Sequence, residues 1–471
     1  MSRAASPVPG PVRALLECSR TRFALSILLL FLAGLAATLF CTHLFFAPEE
    51  PVAALMVLPP ALVVALVLLM LSMSPRTAAR PSWVLLACSG LWFLVFSLGC
   101  ANLAFGFAQL HSYGDKPLLL FIFNKGNVLP KWLVVCGLFN IVRAVACDFR
   151  PVASLLPASI EPLAVFIRVT GALSMGAATL YLALRHPRRL SVAFTIFTPM
   201  WLAFSLGYIE CYPYIAWIVP VLYLWLLDKP IGERNPYEIG AIAGALPLIY
   251  IAFLPLSVII LGFFACCSPR KLWRALLTAA ATALVLVRLF YNGPLDVFIG
   301  ELSDNLNLGG QAVFSPYQGM AANEASLFFE SGYALSLKHL GELAYMFWFG
   351  AGVMPLLTLI GGCAFALRAR VVSKETLKSS RFWLAVSLLG WALAYFLFML
   401  PGLGPYQDID LFFLTYLSVA FFAGHLLDIL FTNEEVKSRA CLAVLAPFLG
   451  GTIVCTMYLV WEGLPSAQLI W

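Results

Sequence analysis

Residues 23–46 of the chain read FALSILLLFLAGLAATLFCTHLFF, which is a run of 24 residues without an Asp, Glu, Lys or Arg. A helix of about 20 apolar residues is long enough to cross the hydrocarbon core of a bilayer, so this run predicts a transmembrane helix. Basic residues precede it, and no early small-residue cleavage site is present. We therefore expect an uncleaved first helix rather than a secretory signal peptide.

The composition of the whole chain has the same character. Of the 471 residues, 62% are hydrophobic and 11% are charged, and the mean hydropathy is +0.92. A soluble core of this length could not bury so much apolar surface, so the composition predicts an all-α polytopic integral membrane protein. The net charge of +6 comes without a basic–aromatic stripe, and nucleic acid is therefore not expected as a partner.

Several classes of chemistry lack their sequence signatures. The 12 cysteines are scattered without a CxxC pair or a His/Cys cluster, which disfavours zinc and iron–sulfur sites. The chain also has no Walker loop, no GxSxG and no dinucleotide-binding motif. ATP-driven transport and serine-hydrolase chemistry therefore have no support.

Apolar runs separated by charges and prolines predict about 13 transmembrane helices. We expect them at about 23–46, 52–73, 83–107 and 162–184, on both sides of 207–214, in a short hairpin between 235 and 267 broken near Pro255, at 273–291 and 343–367, on both sides of 401–411, and in a last helix ending near Trp461. They divide into an N-terminal extension with two helices, a core and a C-terminal helix, at 1–82, 83–431 and 432–471.

Lysine and arginine are unevenly distributed between the two faces. With a cytoplasmic N-terminus, 21 of the 29 lie inside, six lie outside, and Arg168 and Arg288 fall within spans. This asymmetry predicts a multi-pass protein of the cytoplasmic (inner) membrane with its C-terminus outside. Residues 131–147 are then expected to form an amphipathic interfacial helix in the first long outer loop, because a span there would reverse every later loop.

The outer loops collect the candidate acids. Asp115 follows Gly114 directly after a predicted helix, in a turn that can aim a carboxylate back at the membrane surface. Such a group could act as a general base, or it could be a solvated turn residue. Glu210 lies at a helix end between Tyr208 and Tyr212, where ionisable groups are often functional and tyrosines can simply form an interfacial belt.

A second pair of acids opens a later helix. Asp408 and Asp410 stand two residues apart, so in an extended segment they share a side and could hold a divalent cation such as Mg²⁺ or Mn²⁺. They could equally be acids that stabilise a helix N-terminus.

Three ionisable residues mark the entry to the helix at 343–367. Lys338, His339 and Glu342 could receive a phosphate or shuttle a proton, or the histidine could serve only in capping. Arg288 is expected to be a buried cation that needs an anion. His425 and Asp428, near the inner end of a late helix, are interpreted as structural.

Four of these motifs together resemble the GT-C superfamily of membrane glycosyltransferases, and more closely a bacterial, mannosyltransferase-like branch of it. The resemblance covers about residues 83–431. The motifs are Gly114-Asp115 followed by the amphipathic segment, Gly207-Tyr208-Ile209-Glu210-Cys211-Tyr212, Ser336-Leu-Lys-His339-Leu-Gly-Glu342 with the later Pro355, and Asp408-Ile-Asp410-Leu-Phe412.

The resemblance implies an inverting transfer of a sugar from a polyprenyl-phosphate donor to a lipid or glycan acceptor at the outer face. Asp115 would be the catalytic base, and Glu210 is the second catalytic candidate, next in line for the role of base. Lys338, His339 and Arg288 would stabilise the phosphate leaving group, and the amphipathic segment would hold the lipid donor at the interface among the membrane lipids.

Three other functions stay open. A transporter or flippase for lipid-linked glycans would need internal repeats and polar groups at mid-membrane depth. A different lipid-linked enzyme, such as an O-antigen ligase or polymerase, would rely on clustered outer arginines. A structural assembly partner would leave Asp115 dispensable.

Overall fold

The computed structural model describes eleven segments of the chain, and every regular element in them is helical. The segments are 19–46, 58–73, 133–137, 162–186, 189–205, 212–291, 293–306, 336–368, 378–398, 412–431 and 434–460. The α-helices are α1 (Arg20–Phe46), α2 (Leu58–Met73), α3 (Pro162–Arg185), α4 (Leu190–Ile196), α5 (Pro199–Ser205), α6 (Ile218–Asp228), α7 (Pro236–Ile249), α8 (Leu254–Cys267), α9 (Leu272–Phe290), α10 (Leu295–Leu306), α11 (Leu337–Gly350), α12 (Val353–Arg368), α13 (Ser380–Phe398), α14 (Phe413–Leu430) and α15 (Glu434–Val460).

Five of the described helices are long and apolar enough to cross a membrane, or six if α11 and α12 count as one bent span. The prediction of a helical membrane protein is confirmed at this level, whereas the number 13 is not. Four predicted ranges agree closely with observed helices, namely those of α1, α3, α9 and α15. Three of the four, α1, α9 and α15, are also among the helices long and apolar enough to cross a membrane.

The centre of the bundle is α14, which is buried along most of its length. The pair α4–α5 runs antiparallel to it, because Gly424 contacts Leu190 near one end and Phe204 packs on Phe413 near the other. Every residue of α4 is buried, as are nearly all of α5. The predicted full span before 207–214 is therefore replaced by two short helices of seven residues each.

A proline and a threonine account for this break. α5 begins at Pro199, which has no backbone N–H to continue the helical ladder of α4. Thr198 then caps the new helix, since its Oγ1 accepts a hydrogen bond from the Trp201 N–H at 3.3 Å.

The hairpin of α7 and α8 confirms the predicted break near Pro255. A 3₁₀ turn, Ile251–Phe253, joins the two 14-residue helices. α9 then runs parallel to α7, because Gly240 faces Ala275 and Gly244 faces Ala279. Small residues four apart let the two backbones approach closely, which is a common way for helices to pack in lipid.

The predicted continuous helix at 343–367 is wrong, because α11 and α12 meet at 101°. The chain turns at Gly352, whose φ of +73° is readily adopted only by glycine. Near its start α11 contacts the last turn of α13 at Leu397, and near its end it reaches Thr42 of α1. α11 therefore lies across one end of the bundle, and only α12 runs along it.

The first and last described helices pack side by side. Gly34 of α1 contacts Pro447 of α15, and further along His43 contacts Tyr458, so the two helices are parallel. The N-terminal helices thus adjoin the C-terminal helix in space.

Only residues 133–137 of the predicted amphipathic segment are described, and they are helical. Their side chains turn toward the protein: Leu133 is buried in a small cluster with Val287 and Phe298, and Gly137 contacts Phe290. This part of the segment therefore packs against α9 and α10.

Candidate functional site

Two clusters of side-chain contacts lie at opposite ends of the described bundle, one rich in arginine and the other in tyrosine. At the first, the arginine end, Arg189 pairs with Asp228 (Nη2 to Oδ1, 3.2 Å), and Arg381 donates to the Asp228 carbonyl at 3.4 Å. Arg234 is buried there, with its guanidinium 3.9 Å from the centre of the Trp225 ring and a hydrogen bond from Nη2 to the Trp225 carbonyl. The predicted concentration of basic residues on one face is visible in these contacts.

Asp428 also lies at the arginine end, and its role is structural, as expected from the sequence. Its carboxylate accepts hydrogen bonds from the backbone N–H groups of Leu190 (3.0 Å) and Ser191 (3.2 Å) and from the Ser191 hydroxyl (3.3 Å). A carboxylate at this position caps the start of α4 from a different helix.

The opposite end, which we call the tyrosine end, is built from aromatic rings of distant segments. The hydroxyls of Tyr250 and Tyr395 are 3.2 Å apart, although 145 positions separate them in the chain. Tyr212 packs on Tyr250 with ring centroids 5.8 Å apart, and Tyr395 packs on Phe412 at the same distance. The hairpin tip, the end of α13 and the start of α14 therefore meet here.

His339 and Glu342 form a buried acid–base pair at the tyrosine end. They lie on the first turns of α11, where the Ser336 hydroxyl caps the helix by accepting from the His339 N–H at 3.1 Å. The side chains are only 1% and 5% exposed, and His339 Nδ1 is 3.9 Å from Glu342 Oε2. The predicted helix entry is confirmed by this geometry.

The hydrogen bond on the other ring nitrogen determines the tautomer of His339. Its Nε2 is 3.3 Å from the Leu397 carbonyl, and because a carbonyl only accepts, Nε2 must carry a hydrogen. Nδ1 is thereby directed at the Glu342 carboxylate. Since both side chains are buried, the pair is suited to hold α11 on α13 and less suited to bind a bulky substrate.

The other predicted residues divide into three groups. Lys338 is exposed on α11, beside the pair but outside the core, and Tyr212 is buried among rings. Arg288 lies in the last turns of α9, within a helix that can cross a membrane, and its side chain is exposed and does not belong to the pair. That it is a cation within the membrane that needs an anion stays a prediction. The residues that lie outside the described segments are Asp115, Tyr208, Glu210, Asp408 and Asp410.

The predicted metal ligands lie outside the described part of the chain. Within the described segments, no group of three or more His, Cys, Asp or Glu side chains is arranged to hold a metal ion. The two residues expected to bind Mg²⁺ or Mn²⁺, Asp408 and Asp410, belong to the undescribed stretch before α14.

Tyr250 and Tyr395 were not predicted from the sequence as parts of a site. Tyr250 had one available signal, since it stands at the break of the hairpin, where the backbone leaves the helix and its side chain can be shared with neighbouring elements. Tyr395 lies within an apolar helix and gives no local signal. Only the meeting of α13 with the hairpin tip reveals it.

Comparison of the chain with protein-family models, with curated proteins and with solved structures gave no match.

Proposed function

We propose that the chain is a GT-C-type membrane glycosyltransferase, which moves a sugar from a polyprenyl-phosphate donor to a lipid or glycan acceptor at the outer face of the membrane. One observation supports this best: the described candidates Tyr212, His339 and Glu342 all lie at the tyrosine end, and the basic cluster lies at the other. A one-sided arrangement of this kind is what a reaction at one membrane surface requires.

Chain connectivity links the candidate acids to the same end. Glu210 precedes Tyr212 by two residues, and Asp410 precedes Phe412 by two. Because two residues of chain span at most about 7 Å, the proposal assigns both acids to the tyrosine end. Asp115 lies 18 residues before Leu133, which allows a much longer reach.

In this proposal the candidate residues, described and undescribed, have separate tasks. Lys338 is exposed beside the pair, so its ammonium group is available to a donor phosphate. His339 and Glu342 act as positioning residues that hold the start of α11, and Asp115 would deprotonate the acceptor hydroxyl. A divalent cation on Asp408 and Asp410 would add charge stabilisation for the leaving phosphate.

The test is a transfer assay in membranes with labelled polyprenyl-phosphate sugars. We expect the wild type to transfer label and Asp115→Asn to lose at least about a hundredfold, as the loss of a general base predicts. Asp296→Asn is the matched control, because Asp296 is an exposed acid at the start of α10, and it should retain activity at equal expression. Unchanged turnover in Asp115→Asn would show that another group is the base, and no transfer from any donor would refute the enzymatic proposal.

A flippase or transporter is the second candidate, and the interrupted helices favour it. Irregular backbone inside a bundle is a feature of transporter binding sites, and here α4–α5 breaks at Thr198 and the α7–α8 hairpin breaks at Tyr250. Proteoliposomes loaded with a fluorescent polyprenyl-linked sugar distinguish the two functions. A flippase would move the label between leaflets without a new glycosidic bond, and Asp115→Asn would leave that movement unchanged.

A further inference from the structure

The turn between α8 and α9 presents three cations to the surroundings. A hydrogen bond from Ser268 Oγ to the Gly232 carbonyl (3.0 Å) fixes the turn at the arginine end. Arg270, Lys271 and Arg274 follow within five positions, and all three side chains are exposed. In the described segments, none of them is within ion-pair distance of a carboxylate.

An apolar stripe begins where these cations end. Trp273, Leu277 and Leu284 lie on one face of α9 and are 56%, 62% and 52% exposed, respectively. Arg288 closes the same face. The 15 helical steps from Trp273 to Arg288 rise about 22 Å. The long basic side chains at each end can therefore reach the interfaces of a hydrocarbon core of about 30 Å.

Within the part of the chain that the structure describes, no segment covers this stripe, and the opposite face of α9 explains why. Ala275 and Ala279 are packed on the glycines of α7, which turns the large apolar residues away from the bundle. Leu277 and Leu284 therefore face the surroundings of a helix that can cross a membrane, and the three cations lie at the level where lipid headgroups begin.

We propose that this turn binds the phosphate of an anionic phospholipid, with the acyl chains lying along Leu277 and Leu284. Arg274 is also held 5.3 Å from the centre of the Trp273 ring, which positions its guanidinium beside the stripe. Glu233, next to Gly232, and Glu238, in the first turn of α7, are exposed acids at the same end, so the three cations keep an excess of one positive charge over them. A zwitterionic lipid supplies its own cation and would not neutralise that excess, whereas an anionic lipid does.

The ligand is expected to be a lipid because the site has two chemical parts. A free phosphate would satisfy only the cations, and an uncharged lipid would satisfy only the stripe. Basic residues beside a membrane span attract anionic headgroups by about 1 kcal/mol each, which corresponds to about fivefold in affinity per cation.

The experiment measures binding of phosphatidylglycerol and phosphatidylcholine to the detergent-purified full chain by native mass spectrometry. We expect the wild type to prefer phosphatidylglycerol, and the triple variant R270Q/K271Q/R274Q to bind it at least tenfold more weakly. R288Q is the matched control, since it removes one cation from the other end of the same helix face, and R270K/R274K should retain binding because it retains the charge.

Circular dichroism and gel filtration of each variant separate lost binding from lost folding. Equal phosphatidylglycerol binding by wild type and the folded triple variant would overturn the proposal, as would an equal loss in R288Q. A further arm adds inorganic phosphate at millimolar concentration. If it displaced the lipid completely, the site would be one for a free anion, and the proposal of a lipid site would be wrong.

Discussion

Replacing Gly244 by alanine is expected to destabilise the protein by about 2 kcal/mol. A Cβ at this position would overlap the Ala279 carbonyl oxygen and lie 2.9 Å from the Ala279 Cα. Overpacking of this kind costs about 1–3 kcal/mol, and the upper value applies because the obstructing atoms are backbone and cannot rotate away. Alanine regains about 1 kcal/mol through its higher helix propensity, which leaves a net loss of about 2 kcal/mol.

Gly262 of α8 provides a matched control. A Cβ there would meet nothing within 4 Å, so Gly262→Ala should show only the gain in helix propensity, up to about 1 kcal/mol. The two substitutions are chemically identical and should therefore differ by about 3 kcal/mol, with opposite signs. Gly240→Ala should behave like Gly244→Ala, because its Cβ would overlap the Ala275 carbonyl oxygen.

The assay is reversible unfolding in mixed micelles with increasing mole fraction of sodium dodecyl sulfate, followed by far-UV circular dichroism. The close approach of α7 and α9 would be refuted if Gly244→Ala were as stable as the wild type. Equal shifts for Gly244→Ala and Gly262→Ala would refute it too. Because backbone atoms cause the overlap, the second substitution Ala279→Gly should not restore the stability of Gly244→Ala.

Three further predictions concern the polar contacts of the bundle. Asp428→Ala removes the cap of α4 and should lower the stability in the same micelle assay by about 1–3 kcal/mol, whereas Asp428→Asn, which keeps one acceptor oxygen, should lose less. Tyr223→Phe removes a buried hydrogen bond to Ser418 (2.8 Å) and should cost about 1 kcal/mol by the same measurement. Burial lowers the pKa of His186, which lies outside the spans, although the Asp228 charge opposes the shift. The fold thus favours the neutral ring. The stability that His186 contributes is present above the unfolded pKa of about 6.5 and is lost as the pH falls below it. The unfolding midpoint measured between pH 5 and 8 should therefore rise with pH, and this rise should be smaller in His186→Gln.

The long helices could be predicted from the sequence because a bilayer imposes their length. An apolar run such as 23–46 or 273–291 has no alternative that satisfies its backbone in lipid, and both appear as α1 and α9 with nearly the expected ends. The start of α11 could also be predicted from the local sequence. A serine three residues before His339 marks a helix entry, and the structure has that cap.

The breaks inside apolar runs could not be predicted in the same way. Pro199 and Gly352 were visible in the sequence, but a proline or glycine inside such a run can be absorbed as a slight bend or can end the helix. Here the outcome depended on neighbours: α4–α5 is buried against α14, and α11 turns across the bundle to reach α13 at one end and α1 at the other.

What the sequence determined by itself was therefore the membrane class, the longest helices and the separation of basic residues toward one face, since each depends on composition within one segment. Tertiary structure alone decided which face of each helix is buried. Arg288 is exposed because Ala275 and Ala279 pack on α7, and Tyr250 meets Tyr395 because a hairpin tip reaches the end of α13. Both results depend on contacts between segments far apart in the chain. Because the chain is apolar almost everywhere, no local pattern distinguishes the face of a helix that packs on protein from the face that packs on lipid.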